Sequence, residues 1–146
     1  MSAGTFQAPA PHPGQLAGRI AAKIVDSGGN PPDVIKAADK WGVEMVWELT
    51  GSLVPLIGGT WNLRLSIDQL GGPDDFNFPK LNPIEVAVTP GNGNYATTVD
   101  VPGNTLTAAP SGSTYQVVAS LTYITPAGTP GPMAGYVNCG LMQVIQ

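Results

Sequence analysis

The last third of the chain constrains the fold most. From Tyr115 to Ile124, Tyr115, Val117, Ala119, Leu121 and Tyr123 alternate with Gln116, Val118, Ser120, Thr122 and Ile124. A loop rich in glycine and proline follows over residues 125–132, then a second run from Ala134 to Ile145. Alternation of period two is the mark of a β-strand with one buried face. Here the second face is not very polar either, because Val118, Ile124, Tyr136, Met142 and Val144 fall on it. Such a sheet calls for something to cover both sides.

Composition agrees with an all-β chain. Charged residues make up 11% of the 146 positions, well below the usual quarter, and 42% are apolar. Nineteen glycines and fifteen prolines amid so many hydrophobes describe many short strands joined by turns. A chain of this length can bury a core without disulfides or metals. The formal net charge is −4, and no Lys or Arg occurs after Lys80. A surface that tracks phosphates needs clustered positive charge, so nucleic-acid binding is not expected. No stretch approaches the ~20 apolar residues of a membrane-spanning helix. The N-terminus lacks the basic start and apolar run of a secretory signal, so cytoplasmic synthesis is expected, with any export by another route.

Residues 1–13 are small and proline-rich and read as an extended arm. Gln15 to Asp26 reads as a short amphipathic helix: Leu16, Ile20 and Ile24 recur every four residues, and Gly28-Gly29 would end it. The expected organisation is an arm and helix over 1–32 and a β-sandwich over 33–146. Within the latter, Val34 to Ala38 fits a strand or a helical turn equally. Clear strands run from Trp41 to Thr50 and from Trp61 to Asp68. Others are marked by Ile84, Val86 and Val88, and by Tyr95, Thr97, Val99 and Val101.

About seven short strands is the count expected of an immunoglobulin-like antiparallel β-sandwich. Leu106 followed by Gly112-Ser113-Thr114-Tyr115-Gln116-Val117-Val118-Ala119 resembles the start of strand F in fibronectin type III and related domains. The resemblance covers residues 33–146. It implies that Tyr115 bonds back to the upstream backbone and that Trp61 takes the place of the core tryptophan of strand C. The paired cysteines of antibody domains are absent, so Trp61 would pack on aliphatic residues. The resemblance is nearly silent on function.

No residue pattern points to catalysis or to a cofactor. The single histidine, His12, lies in the arm, where it cannot be held against a substrate. It also leaves no multi-histidine metal site within one chain. Cys139 is the single cysteine, expected in the core near Ala119, where a thiol is inert. Glu44 and Glu48 lie about 13 Å apart along one strand face, too far for a paired-carboxylate glycosidase site. Arg64 would meet them in a direct hairpin, but an immunoglobulin order puts the two strands in opposite sheets, which is favoured. Asp74-Asp75, with Asp68 and Asn77, could offer oxygens to calcium, though the spacing fits no loop motif. Gly58-Gly59, Gly71-Gly72 and Gly91-Asn92-Gly93 read as turns rather than phosphate loops. Trp41, Trp47 and Trp61 fall on inward faces, which favours core packing over a sugar platform.

The expectation is therefore a non-enzymatic structural or interaction module, a subunit of a larger assembly with a protein partner or a second copy of itself. Its contact residues would be Leu16, Ile20 and Ile24 of the helix and Val118, Ile124, Tyr136, Met142 and Val144 of the final hairpin. The arm would cover that hairpin in cis or on a neighbour. The alternative is a glycan or small-ligand module using loops at one end of the sandwich, with Phe76 and Phe78 as the best candidates. No cofactor or metal is expected.

Overall fold

The period-two runs all become strands. The structure, a computed structural model, describes residues 1–8 and 14–146. In chain order the strands are β1 (Ser2–Ala3), β2 (Thr5–Gln7), β3 (Ala17–Asp26), β4 (Val34–Lys36), β5 (Trp41–Thr50), β6 (Gly59–Gln69), β7 (Asp75–Phe78), β8 (Ile84–Val88), β9 (Asn94–Val101), β10 (Ser113–Ile124) and β11 (Pro130–Ile145). Two sheets face one another. One has four strands in the order β1-β3-β5-β9; the other has seven, built on β2-β11-β10-β6. Strands β7 and β8 pair with successive halves of β6, and short β4 runs parallel to the end of β11. All other pairings are antiparallel.

The core lies between the sheets and comes from alternate positions. Trp41, Val43, Met45, Trp47 and Leu49 of β5 are buried against Trp61, Leu63, Leu65 and Ile67 of β6 and Val117, Ala119 and Leu121 of β10. Each fully buried aliphatic side chain contributes roughly 1.5–3 kcal/mol. Among the described residues no helix is long and apolar enough to cross a membrane.

The helix expected over Gln15–Asp26 is strand β3. A repeat of four is also a multiple of two, so Leu16, Ile20 and Ile24 share one face of a strand as readily as one side of a helix. Ala22 completes that face and is fully buried. Ten rungs of pairing with β5, from Ala17 opposite Thr50 to Asp26 opposite Trp41, override the helix propensity of the alanines. The first 32 residues thus supply β1, β2 and β3 to the sandwich. Strand β1 pairs with β3, and β2 pairs with Ala134–Tyr136 of β11. The arm therefore docks in cis, along sheet edges rather than over a face. Phe6 points inward: its ring lies where a Cβ on Gly18 would sit, 2.4 Å away, so only glycine admits it. His12 falls outside the described residues.

The second correction concerns β11. Asn138 stands opposite Val118 and Gly140 opposite Val117, which leaves Cys139 as one extra residue in the strand. This is a β-bulge, and Gly140 takes a φ of +92°, a conformation that glycine adopts without strain. A one-residue slip turns every later side chain to the other face. Before the bulge the odd positions Met133 and Val137 are buried; after it the even positions Met142 and Val144 are. Met142 and Val144, expected on the outer face, are therefore core residues. Leu141, expected inside, is 63% exposed.

Truncation tests this phase change. Met142→Ala is expected to cost about 2–5 kcal/mol, and Leu141→Ala no more than about 0.5 kcal/mol, by urea unfolding. Unbroken alternation would give the reverse order.

Candidate functional site

The two outer faces of the sandwich differ in chemistry. On the four-stranded sheet, opposite charges pair across β3 and β5: Arg19 Nε lies 3.6 Å from Glu48, and Lys23 Nζ 3.8 Å from Glu44. On the seven-stranded sheet, the pairing of β10 between β6 and β11 gathers hydroxyl and amide side chains. One rung carries Tyr136, Ser120 and Arg64; the next carries Ala134, Thr122, Asn62 and Glu85. A third carries Asn138, Val118, Ser66 and Asn77. Arg64 is the one basic residue in strands β2, β6, β7, β8, β10 and β11. Its guanidinium is engaged: Nη1 donates to the Pro79 carbonyl and Nη2 to that of Leu81, both at 2.7 Å. It secures the β7–β8 loop. Arg64 and the two glutamates thus occupy opposite sheets, as the sandwich order requires.

A cleft of about 530 Å³ opens at one end of this face. Thr60, Asn62 and Glu85 supply polar groups, and Ile124 and Pro126 an apolar wall. The Asn62 side-chain oxygen is buried and accepts no hydrogen bond among the described residues. At the far side of the face Tyr136 is 55% exposed beside Thr5 of β2.

The residues proposed from sequence divide sharply. Leu16, Ile20, Ile24, Met142 and Val144 are buried in the chain's own core. Val118 and Ile124 are half-buried on the outer face, and Tyr136 is exposed on it. Phe76 and Phe78 lie on β7, half-buried and packed against the core. The Lys80 ammonium sits 5.4 Å from the Phe76 ring centre. Neither phenylalanine forms an open platform. Trp41, Trp47 and Trp61 are all buried. Asn62, Thr60 and Glu85 had no distinguishing sequence signal beyond their outward parity. Only the strand order brings them beside Thr122 and Ile124.

Other candidates are engaged structurally. Asp74 Oδ2 accepts a hydrogen bond from Thr107 Oγ1 at 2.6 Å, and Asp75 stands opposite Asp68. Among the described residues no three His, Cys, Asp or Glu side chains gather as a metal site. Tyr115 is fully buried, and its hydroxyl donates to the Thr107 carbonyl at 2.7 Å, the backward bond expected of it. Cys139 is half-buried in the bulge. Burial pushes its thiol up to about 11, against the smaller lowering effect of a backbone hydrogen bond from Ala119.

No protein-family model matches the chain, and no curated protein matches it. Among solved structures it is similar to the C-terminal domain of Wzt, with a TM-score of 0.59 and 12% sequence identity. The likeness spans 98% of this chain and 78% of that one. At that identity the similarity is one of β-sandwich fold.

The state of Cys139 is measurable. Its folded pKa lies above the unfolded value, so its contribution to stability is full below about pH 9 and is lost as pH rises toward 11. Cys139→Ser should flatten the fall in stability over that window. Thiol alkylation near pH 8 should be about a hundredfold slower in the folded chain than in urea.

Proposed function

We propose that this chain is a non-enzymatic binding module whose ligand is an uncharged, hydroxyl-rich molecule, a glycan, received on the outer face of the seven-stranded sheet. The contrast between the two outer faces carries the reading. One face is closed by the Arg19–Glu48 and Lys23–Glu44 pairs. The other offers mainly hydroxyl and amide donors and acceptors, with the Glu85 carboxylate at the cleft, repeating about every 6.6 Å along each strand and about 4.8 Å between strands. A ligand that repeats hydroxyl groups suits such a lattice better than a phosphate chain, which needs free cations. Tyr136 adds a flat apolar surface with a polar tip, and the cleft at Asn62 and Glu85 gives the face an end.

Catalysis finds little support. Burial raises the pKa of the one thiol, and the Thr107 hydroxyl that donates to the Asp74 carboxylate is not among the residues that line the cleft. The Tyr115–Thr107 bond supports the fibronectin type III-like reading of that corner, which concerns the scaffold and not the ligand. An assembly role no longer rests on apolar surface, since five of its eight contact residues lie in the core. What favours it instead is an uncovered sheet edge at β9.

A glycan array followed by titration calorimetry on the full chain tests the proposal. Binding to a neutral glycan should be nearly independent of salt. Tyr136→Ala and Asn62→Ala should each weaken it about tenfold or more, a loss of about 1.4 kcal/mol. Arg19→Ala should leave it unchanged, and Phe76→Ala should lower stability before affinity. An empty array, or full affinity in the Tyr136/Asn62 double variant, would overturn the reading.

A further inference from the structure

Strand β9 ends the four-stranded sheet, and no described strand pairs with its outer side. It has eight residues, whereas the other terminal strands β1, β2, β4, β7 and β8 have two to five. Its register with β5 runs without a bulge, and it contains no Pro, Lys or Arg. Those are the devices by which exposed edges are normally blunted.

Which backbone groups are open follows from parity. The Leu49 N–H donates to the Gly93 carbonyl at 2.7 Å, one rung beyond Glu48 opposite Asn94. Hydrogen-bonded rungs alternate in an antiparallel pair. Tyr95, Thr97, Val99 and Val101 therefore exchange bonds with β5. Asn94, Ala96, Thr98 and Asp100 turn their N–H and C=O groups outward, and all four are exposed. The Asn94 N–H is engaged by Asn92 Oδ1 at 3.1 Å, as an outward group can be. Among the described residues, the N–H groups of Ala96, Thr98 and Asp100 have no backbone or side-chain partner.

We infer that β9 pairs with β9 of a second copy, antiparallel and centred on Thr98, to join two four-stranded sheets into one of eight. A two-fold axis normal to the sheet keeps the inner faces on the same side. Of the registers it allows, centring on Thr98 sets Thr98 opposite its own counterpart and Ala96 opposite Asp100. Every open N–H then finds a carbonyl. Centring on Thr97 would set Asp100 opposite Asn94, whose N–H is already engaged. In the Thr98 register no like charges meet, and Tyr95 of one copy faces Val101 of the other. The surface lies on the sheet opposite the proposed glycan face, so either conclusion can fail without the other.

Sedimentation equilibrium of the full chain should show a concentration-dependent dimer. Thr98→Pro removes the central N–H, which does not serve the β5 ladder. It should abolish the dimer and leave the circular dichroism spectrum unchanged. Ala96→Lys, opposite Asp100 at two symmetric rungs, should tighten the dimer roughly two- to thirtyfold; Ala96→Asp should weaken it by a similar factor. A chain that stays monomeric at its highest soluble concentration overturns the inference. So does a dimer that persists in folded Thr98→Pro. Should Thr98→Pro fail to fold, the Ala96 pair decides: equal affinities for Ala96→Lys and Ala96→Asp also overturn it.

Discussion

The packing of Trp61 governs how the rest of the chain is arranged. Its indole lies fully buried between the sheets, meeting four other rings edge-on: Tyr123 at 5.6 Å, Tyr95 at 5.9 Å, Trp47 at 6.1 Å and Phe6 at 6.3 Å. Those partners come from β10, β9, β5 and β2, so one side chain ties the N-terminal strand to both sheets. Each such pair adds about 0.5–1.5 kcal/mol beyond the area it buries. Trp47 and Tyr95 stack at 5.5 Å and complete the cluster. The indole N–H groups of Trp47 and Trp61 are buried and reach no oxygen acceptor among the described residues.

Drawing every tryptophan inward leaves the outer faces to smaller, mixed side chains. On β3 and β5 those are charged and satisfy one another. On β6, β10 and β11 they include hydroxyls and amides beside Val118, Tyr136 and Leu141, and the single guanidinium among them is turned to backbone carbonyls. Arg64 keeps its positive charge but directs it to those two carbonyls. The same two bonds tie the β7–β8 loop to β6 at the border of the face.

Much of the architecture was legible in residue order. Trp41–Thr50 was read to the residue, and the runs at Trp61, Ile84, Tyr95 and Tyr115 lie within strands. Tyr115 bonding backward and Trp61 in the core were also readable, because each depends on local spacing. Three things were hidden. A spacing of four at Leu16, Ile20 and Ile24 satisfies helix and strand alike, and only the partner β5 decides. The bulge is signalled by one glycine, Gly140, in a chain with many. Strand order is a long-range property, so the meeting of Asn62, Thr122 and Glu85 had no local trace.

The bulge also redefines the lone cysteine. Cys139 was expected as an inert core residue, yet what β11 uses at that place is a unit of length. Its backbone resets the phase of the strand, so that Val137 and Met142, an odd and an even position, point into the same core. Removing the residue would invert the last turns of the sheet, whereas changing its side chain would leave them in place. Position 139 is thus tightly constrained in number and loosely constrained in kind.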